Sequence, residues 1–401
     1  MPVRLLFVNT RDQCGADVSV HLSMMTNFLA EEADVFVISN SEARDADDMR
    51  SRLAFMPRIT SVFMPLGRPA EALASRDRVA RTLSYVPSGL SLFRAAAFVR
   101  KHRIQVLHAT DRPRDAGFVG ALGKLTGKAS VVHMHAPATE ISTLSRWGMH
   151  AATAMFAVSD AVRTDLIGAG IDGGKIRTLH NAVDVAHFDP DLPSDGTGSL
   201  RREFGIPDGA PLIGIAARMN PWKGQIELLR AMTALRDSFP DLRLIIVGTD
   251  VPDMRVRFEQ LARDGGIGDR VHFAGFRNDV RPFLRELDLF VHPSHREPFG
   301  LAIAEAMAMR KPVVACGTGG VPEIITHGVD GWLVEEKSPE SVATAIARLL
   351  RDPELRRSIG ARARETIRNR FTPRHQCAVA AQLYRELLVS PQDARSMREG
   401  R

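Results

Sequence analysis

The chain has 401 residues, a length that favours two domains over a single hydrophobic core. Apolar residues make up 44% of it and charged residues 25%, values typical of a globular protein that exclude extensive disorder. The three cysteines, Cys14, Cys316 and Cys377, are scattered and odd in number, which argues against a disulfide framework or a zinc site with CxxC spacing.

Net charge and segment hydropathy limit the partners and the cellular location that we expect for the chain. The formal net charge of +6 comes mostly from arginine, and no basic stretch is interleaved with aromatic residues, so we expect no nucleic-acid partner. The apolar run after Arg4 is too short for the core of a signal peptide, and no long apolar run predicts a membrane span. We expect a cytoplasmic protein and leave open a peripheral contact with the cytoplasmic face of the membrane. The oligomeric state is not predicted.

Apolar runs rich in Val, Ile, Leu and Phe alternate with helical patterns along the chain, which is typical of parallel sheets wrapped by helices. The first series of predicted strands occupies 3–9, 34–39, 104–109, 130–136 and 154–159. The second series occupies 211–217, 242–248, 270–275, 287–294 and 311–317. The pattern predicts an α/β protein with two Rossmann-like doubly wound domains that face a central cleft.

The domain boundaries follow from a change of composition between the two series. Residues 180–209 are rich in Asp, Pro, Gly and Ser, and we place an interdomain connector at 191–209 within them. The N-terminal domain then covers 1–190 and the C-terminal domain covers 210–371. The tail, 372–401, contains an amphipathic pattern that predicts a helix crossing back to the N-terminal domain.

Ligands of such sheets bind beyond the carboxyl ends of the strands. After the first strand, Gly15 either lets the backbone approach a phosphate or makes an ordinary tight turn, since the GxGxxG fingerprint is absent. After strand 211–217, Arg218 and Lys223 place two cations on one loop. A forked guanidinium beside a compact ammonium suits a diphosphate, and solvated loop charges are the alternative.

The segment HREPFGLAIAEAMA, residues 295–308, carries two carboxylates in different settings. A helix begins near Gly300, so Glu297 lies in the preceding loop and Glu305 about one and a half turns into the helix. The backbone amides around the helix start, which favour an anion, are those of Phe299, Gly300, Leu301 and Ala302. Carboxylates repel phosphate but accept hydrogen bonds from hydroxyl groups. We therefore expect a sugar on either side of a diphosphate, as in a nucleotide sugar.

Two carboxylates also suit a glycosidase acid and nucleophile, a metal site or a helix-capping pair. A glycosidase has no use for paired cations on a neighbouring strand, and capping alone leaves Arg218 and Lys223 unexplained. A metal site needs further ligands, whereas the DxD strings at 45–47 and 189–191 lie in polar loops away from the predicted strand ends. We therefore predict no metal site.

These motifs resemble the retaining glycosyltransferases of family four, which have the two-Rossmann architecture called GT-B. The resemblance rests on EPFGLAIAEAMA (297–308), KPVVACGTGGVPEII (311–325), DGWLV (330–334) and GIAARMNPWKG (214–224). VSDAVRTDL (158–166) and HNAVDVAHF (180–188) fit the same family more loosely. One departure is the first loop, where relatives commonly show a glycine pair and this chain has Cys14-Gly15.

The resemblance implies an acceptor side in the N-terminal domain and a nucleotide-sugar site in the C-terminal domain. Arg218 and Lys223 would neutralise the donor diphosphate, which the amides of the helix start would also meet. Glu297 would face the transferred sugar, and Glu305 would hold the ribose hydroxyl groups. The backbone near Arg277 would line the nucleobase pocket.

His133 and His135 alternate on one predicted strand, so their side chains point to the same face. That pattern alone predicts core or metal-binding histidines. The resemblance instead assigns His135 to a contact with the sugar and leaves His133 structural. It also assigns Gly15, in the loop after the first strand, to the donor-binding residues.

The segment SLFRAAAFVRKHR, residues 91–103, predicts a basic amphipathic helix. We expect it to pack on its sheet, because the strand at 104–109 follows at once. A second interpretation rests it on an anionic membrane, which would suit a lipid acceptor.

The implied reaction transfers a hexose-type sugar from a nucleotide diphosphate sugar, such as a UDP- or GDP-sugar, to a hydroxyl group of a glycan, lipid or small molecule. The anomeric configuration is retained. Arg218, Lys223 and Glu297 are the predicted catalytic residues, and the two cations make a metal cofactor unnecessary. The alternative is a nucleotide-sugar-binding or epimerase-like protein of the same fold without transfer activity.

Overall fold

The structure is a computed structural model of the chain, and it describes residues 2–10, 16–42, 46–66, 86–110, 113–137, 142–192 and 199–389. Its internal contacts divide the chain into two units. The first unit comprises Met1–Asn181 with Pro373–Arg401, and the second comprises Ala182–Thr372. Each unit contains its own parallel sheet with helices packed on it, which confirms the predicted fold class of two Rossmann-like domains.

The first unit is built on a seven-stranded parallel sheet. Its strands are β1 (Val3–Asn9), β2 (Ala33–Asn40), β3 (Ile59–Met64), β4 (Val106–Ala109), β5 (Ala129–Met134), β6 (Ala154–Ala157) and β7 (Ile176–Thr178). Their order in the sheet is β3-β2-β1-β4-β5-β6-β7, so the direction of winding reverses between β1 and β4. The described helices that cover the strands are α1 (Ala16–Leu29), α2 (Ala46–Ala54), α3 (Val86–Lys101), α4 (Pro113–Thr126), α5 (Thr143–Ala151) and α6 (Asp160–Gly168).

The second unit is built on a six-stranded parallel sheet. Its strands are β8 (Leu212–Ala216), β9 (Arg243–Val247), β10 (Val271–Gly275), β11 (Leu289–His292), β12 (Val313–Cys316) and β13 (Trp332–Val334). The helices are α7 (Leu200–Glu203), α8 (Gln225–Leu235), α9 (Pro252–Asp264), α10 (Arg281–Glu286), α11 (Leu301–Ala308), α12 (Val321–Ile324), α13 (Pro339–Arg351) and α14 (Pro353–Arg370). The sheet order is β10-β9-β8-β11-β12-β13, so the winding reverses between β8 and β11, and the loops after these two strands are the expected ligand position.

Three strands have no counterpart in the sequence prediction, and all three belong to sheet edges. They are β3 and β7 in the first sheet and β13 in the second. Each is partly exposed, whereas central strands such as β4 and β12 are buried along their whole length. An edge strand with one solvated side lacks the continuous apolar run by which a buried parallel strand is recognised.

The stretch predicted as a connector, 191–209, contains the short helix α7. Ser199 caps this helix by accepting a hydrogen bond from the Arg202 amide, and the Arg201 amide donates to the Glu286 carboxylate at 2.9 Å. The contacts of the chain therefore place this stretch within the second unit, and the division between units falls at Asn181. Residues 193–198 of the stretch lie outside the described part of the chain.

The last described helix, α15 (Pro373–Leu388), follows the second unit in sequence but belongs to the first by its contacts. Cys377, Ala380 and Tyr384 are buried in the core that also contains Leu5 and Phe7 of β1. The Tyr384 hydroxyl group lies 2.6 Å from Nδ1 of His108 on β4. Among the described residues, no helix has both the length and the apolar character that a membrane span requires.

Candidate active site

The loop after β8 carries the two predicted cations and has a tightly specified backbone. Asn220 caps a short 3-10 helix, Pro221–Lys223, by accepting a hydrogen bond from the Trp222 amide at 3.3 Å. Gly224 then adopts a φ of 77°, and a Cβ at this position would lie 2.0 Å from the Pro293 carbonyl oxygen. Only glycine meets both conditions, so this loop presses directly on the loop that follows β11.

Further hydrogen bonds fasten the loops after β8 and β11 to each other. The Trp222 carbonyl accepts from the Ser294 hydroxyl group at 3.1 Å and from the His295 amide at 2.9 Å. The loop after β12 joins them, because the Gly320 amide donates to the Glu297 carbonyl at 2.9 Å. Three neighbouring strand ends thus hold one rigid platform, and the predicted residues Lys223 and Glu297 both lie on it.

Lys223, His292 and Glu297 form a buried charged cluster on this platform. Nζ of Lys223 lies 2.7 Å from Oε2 of Glu297, and Nε2 of His292 lies 3.2 Å from the same oxygen. The Glu297 residue is 9% exposed and His292 only 2%. A carboxylate this deeply buried requires the two donors that face it, since an unpaired buried charge is strongly destabilising.

The protonation states of the cluster follow from its geometry. Burial opposes ionisation of Glu297, but the hydrogen bond from His292 and the charge of Lys223 outweigh it and lower the pKa of Glu297 from 4.5 to about 2. Burial also lowers the pKa of His292, against the opposing pull of Glu297. At neutral pH, Glu297 is therefore ionised and His292 is a neutral ring that donates from Nε2. Nδ1 of His292 meets no hydrogen-bond partner among the described residues, which fits this tautomer.

A second pair of a carboxylate and a histidine lies beside the cluster. Nε2 of His295 is 3.2 Å from Oε2 of Glu227, which is buried in the first turn of α8. Gln225, also buried, donates from its side chain to the Arg218 carbonyl at 3.0 Å. The first turn of α8 thus braces the cation loop through Gln225, and it approaches the loop that carries Glu297 at His295, where neither Nε2 of His295 nor Oε2 of Glu227 has a hydrogen-bond partner among the described residues.

The start of α11 supplies the predicted anion site. Gly300 has a φ of 103° and precedes the first helical residue, Leu301, with no side chain capping the amides of the first turn. The amide N–H groups of Leu301 and Ala302 therefore belong to an uncapped helix start, where a phosphate is favoured. Phe299 is buried and packs on Phe371 with 5.7 Å between ring centroids, so its predicted contribution to the donor site is limited to its backbone.

The remaining predicted residues of the second unit lie at strand ends or in α11. Arg218 extends from the loop after β8, and its side chain is exposed. Glu305 is half-buried in the second turn of α11. Arg277 follows β10, where its guanidinium donates to the Glu203 carboxylate at 2.5 Å and to the Ala274 carbonyl at 3.0 Å. This anchoring fixes the loop whose backbone was predicted to meet the nucleobase.

The predicted residues of the first unit are His135 and Gly15. His135 directly follows β5, at its carboxyl end, and its ring lies 4.2 Å from that of His133 between centroids. His133 is buried and takes part in an aromatic cluster with His108 and Phe156, in keeping with its predicted structural role. Gly15 lies outside the described residues.

The cluster contains a residue that the sequence analysis missed, His292, and the neighbouring pair contains two more, Glu227 and His295. His292 closes the apolar strand LDLFVH, and its signal was a lone titratable residue at the carboxyl end of a buried strand, five positions before Glu297. Glu227 and His295 are distant in sequence, and no local pattern joins them.

The two aspartates of the DxD string at 189–191 form ion pairs with arginines. Asp189 lies 3.0 Å from Arg364, and Asp191 lies 2.7 Å from Arg310.

Two family models match consecutive parts of the chain. The family described as Glycosyltransferase Family 4 matches residues 18–187, and the family described as Glycosyl transferases group 1 matches residues 197–366. The chain belongs to glycosyltransferase family 4. The matches fall on the two parallel-sheet units, and the fold is that of GT-B glycosyltransferases.

Among curated relatives of family 4, the chain is similar to the D-inositol 3-phosphate glycosyltransferase of Xylanimonas cellulosilytica, with 35% identity over 52% of this chain and 50% of the relative. It is also similar to the N-acetyl-alpha-D-glucosaminyl L-malate synthase of Bacillus anthracis, with 30% identity over 58% of this chain and 59% of the relative. The chain thus spans about half the length of the curated relatives it matches.

Among solved structures, the fold is similar to that of the Anabaena protein Alr3699/HepE in complex with UDP. The TM-score is 0.79, with 21% identity over 96% of this chain and all of the Anabaena chain. The same Anabaena protein has also been solved in complex with UDP-glucose, with a TM-score of 0.77. At this identity the likeness shows the shared fold.

Proposed function

We propose that this family 4 chain is a retaining glycosyltransferase that moves a hexose-type sugar from a nucleotide diphosphate sugar to a hydroxyl group of an acceptor. The observation that carries the proposal is the cluster of Lys223, His292 and Glu297 at the reversal of the second sheet. A cation, an ionised carboxylate and an uncapped helix start lie there on two adjoining loops. That combination matches the chemistry of a sugar diphosphate.

The diphosphate of the donor would bind Lys223, Arg218 and the first-turn amides of α11. Lys223, which pairs with the carboxylate of Glu297, would then lie between that carboxylate and the diphosphate, and its charge would separate two groups that otherwise repel each other. An ammonium group has three N–H donors, so Lys223 can keep its bond to Glu297 while it binds a phosphate oxygen.

Glu297 would accept hydrogen bonds from hydroxyl groups of the transferred sugar. Its low pKa keeps it ionised throughout the physiological range, and an ionised carboxylate is the stronger acceptor. His292 would act on the sugar only through Glu297, by fixing the direction of the carboxylate. Glu305, half-buried in α11, would hold the ribose hydroxyl groups in the same manner.

The transfer itself breaks the bond between the anomeric carbon and the diphosphate oxygen and forms a bond from the acceptor oxygen to the same carbon. The electron pair of the broken bond goes to the diphosphate, which also takes the proton of the acceptor hydroxyl group. Attack on the face that the diphosphate leaves retains the anomeric configuration. Negative charge grows on the diphosphate, and the cations that would bind it, Arg218 and Lys223, take the part that a metal ion plays elsewhere.

The relatives support the donor class more than the acceptor. The Anabaena structures contain UDP and UDP-glucose, which supports a nucleotide-sugar donor here. The names of the curated relatives specify acceptors as different as an inositol phosphate and malate, so the acceptor of this chain does not follow from them.

A reducing cytoplasm remains the proposed location of the protein. Burial raises the pKa of the thiols of Cys316 and Cys377 to about 12, so neither cysteine is a reactive thiolate.

The test begins with thermal unfolding of the protein against a panel of UDP-, GDP- and ADP-sugars. A donor present at a hundred times its Kd stabilises a protein by about 2.7 kcal/mol, which is readily seen as a shift of Tm. The stabilising donor is then incubated with the protein, with and without chelator, and release of the nucleoside diphosphate is measured. We expect slow hydrolysis that the chelator leaves unchanged.

The outcomes separate the proposal from its alternative. Donor binding without any release of nucleoside diphosphate, with water or with a panel of hydroxyl acceptors, would favour a nucleotide-sugar-binding protein. Once an acceptor is found, NMR of the product gives its anomeric configuration, and inversion would refute the retaining mechanism. Loss of activity with chelator that added Mg²⁺ restores would refute metal independence.

A further inference from the structure

One helical layer of the first unit has an unusual outer surface. Strand order and right-handed crossovers place α3, α4 and α5 on one face of the sheet, opposite α1, because the chain moves toward β7 through these three helices and toward β3 through α1. Side-chain contacts agree, since Phe36 of β2 meets Phe98 of α3 while its neighbour Val37 faces the core shared with α15. We call the solvent side of this layer the α3–α5 face.

The three helices form a continuous surface because α4 and α5 pack closely. A Cβ on Gly148 of α5 would lie 2.2 Å from the Ala116 carbonyl oxygen, and one on Gly120 of α4 would lie 3.0 Å from Gly148 Cα. Glycines at both positions bring the two helix backbones together. Helix α3 packs on the other side of α4.

Large apolar side chains lie exposed on the α3–α5 face. Leu90 and Phe93 of α3 are 67% and 68% exposed, and Leu144 and Trp147 of α5 are 51% and 45% exposed. Along α3 the exposed positions also include Arg94, Ala97, Arg100 and Lys101, which share one side of the helix at 3.6 residues per turn. The buried residues of α3, such as Val99, lie on the opposite side and pack on the sheet. The helix therefore packs as predicted and still presents a second, amphipathic side to solvent.

Among the described residues, the exposed charges of the α3–α5 face are all positive. Among the residues whose side chains the structure describes, the exposed cations of these helices and the turns after them are Arg94, Arg100, Lys101, Arg103, Lys124, Lys128 and Arg146. In the described parts of residues 86–159, the single carboxylate is Asp115. It is buried and accepts hydrogen bonds from the amide and hydroxyl groups of Thr10, so it offsets none of the surface charge.

We propose that the α3–α5 face rests on an anionic membrane surface, with Leu90, Phe93, Leu144 and Trp147 entering the boundary between headgroups and acyl chains. Exposed apolar side chains beside unopposed cations are the combination that interfacial helices use on anionic lipid. A nucleic acid would also attract the cations and stack on Phe93 and Trp147, but it would gain nothing from Leu90 and Leu144, which favour an acyl-chain boundary. The inference depends on the surface alone and not on the proposed enzymatic activity.

The test is flotation of the intact protein with vesicles of phosphatidylcholine alone or of equal parts phosphatidylcholine and phosphatidylglycerol. We expect flotation with the anionic vesicles and a strong decrease when the salt concentration is raised. Each cation near an anionic surface contributes about fivefold to partitioning, so the double variant R100E/K101E should bind at least about 25-fold more weakly. The variant L90S/F93S should also lose binding, because it removes the apolar contacts.

Matched controls test whether binding depends on the α3–α5 face itself or only on the net charge and the number of exposed apolar side chains of the protein. R362E/R368E changes the charge equally on exposed positions of α14, in the second unit, and F55S removes an apolar side chain that is 86% exposed outside α3–α5. Both controls should float like the parent protein. The inference fails if the parent protein does not float with anionic vesicles at low salt, or if the controls weaken binding as much as the α3 variants. Binding to duplex or single-stranded nucleic acid without binding to vesicles would overturn it as well.

Discussion

Lys223 and Glu297 are held 2.7 Å apart in the second unit, with His292 donating to the same carboxylate oxygen. The two residues were predicted to bind different parts of a donor, and the structure shows that they also form an ion pair with each other. The pair compensates the charges of a buried carboxylate and a half-buried ammonium group. Several consequences of this arrangement and of the loops that create it can be measured.

Replacement of Lys223 by alanine removes the cation that would stabilise the leaving diphosphate. We expect turnover to fall by roughly two to three orders of magnitude, the range seen when a group that stabilises transition-state charge is lost. The measurement is kcat and KM for the donor identified by thermal shift. Arg362→Ala, on the exposed side of α14, is the control and should leave both constants unchanged. Turnover of Lys223→Ala close to that of the parent protein would refute the assignment.

Replacement of His292 by phenylalanine removes the hydrogen bond that helps to lower the pKa of Glu297. The pKa should then rise from about 2 toward its ordinary value of 4.5. Ionised Glu297 adds to stability above pH 4.5, and in the parent protein this contribution is lost as the pH falls toward 2. In the variant the contribution should be smaller at neutral pH and should disappear closer to pH 4.5.

Urea unfolding of the His292 variant between pH 2 and 6 measures this shift, and the acid limb of the pH–rate profile should move in the same direction. His272→Phe, at a half-buried histidine of the edge strand β10, is the control. If both variants show the same pH dependence as the parent protein, His292 does not act through Glu297.

Replacement of Gly224 by alanine tests the close approach of the two loops. The new Cβ would lie 2.0 Å from the Pro293 carbonyl oxygen, and alanine would also have to adopt a φ of 77°. Gly209→Ala is the control, since its φ is 85° but nothing lies within 4 Å of its Cβ. We expect Gly209→Ala to lower the free energy of unfolding by about 1 kcal/mol and Gly224→Ala by clearly more, with a loss of activity. Equal values in denaturant unfolding would contradict the contact.

The pair of Glu227 and His295 lends itself to a double-mutant cycle. Because the two side chains lie 3.2 Å apart, we expect a coupling energy of about 0.5–3 kcal/mol in the unfolding of Glu227→Gln, His295→Ala and the double variant. KM for the donor should rise in each variant, since both loops would lose a support. If the two single substitutions have additive effects on the free energy of unfolding, the coupling energy is zero and the two side chains do not stabilise each other.

Replacement of Tyr384 tests the attachment of α15 to the first unit. Tyr384→Phe removes the hydroxyl group that lies 2.6 Å from His108, and we expect a loss of about 1–3 kcal/mol because the histidine nitrogen loses its buried partner. Tyr384→Ala should cost about 3–5 kcal/mol, as truncation of a buried aromatic residue does. Leu388→Ala, near the exposed end of the same helix, should have little effect. Denaturant unfolding of all three variants provides the comparison.

The sequence predicted the fold class because its central strands are buried on both faces and appear as continuous apolar runs. The edge strands β3, β7 and β13 escaped because one side of each is solvated, and the apolar run is interrupted there. The connector was placed by its Pro and Gly content, which indicates irregular backbone but not which unit the segment contacts.

For the site, residue type and position at strand ends were sufficient to select Lys223 and Glu297. Their ion pair was not predictable, because it depends on the approach of two loops that Gly224 permits and the Pro293 carbonyl limits. His292 was assigned to the end of an apolar strand. The strand pattern does not show whether the side chain of the last strand residue points to a ligand site or to the core. Glu227 and His295 meet only through tertiary structure.

The return of α15 to the first sheet has a consequence for biosynthesis. The ribosome releases residues 1–181 long before it releases Tyr384, so the first unit must wait, with one face of its core uncovered, until the entire second unit has been translated. Completion of the N-terminal fold therefore follows synthesis of the whole second unit. A stop codon at position 373, directly after the second unit, is expected to leave the second unit intact and to destabilise the first unit, at the opposite end of the chain.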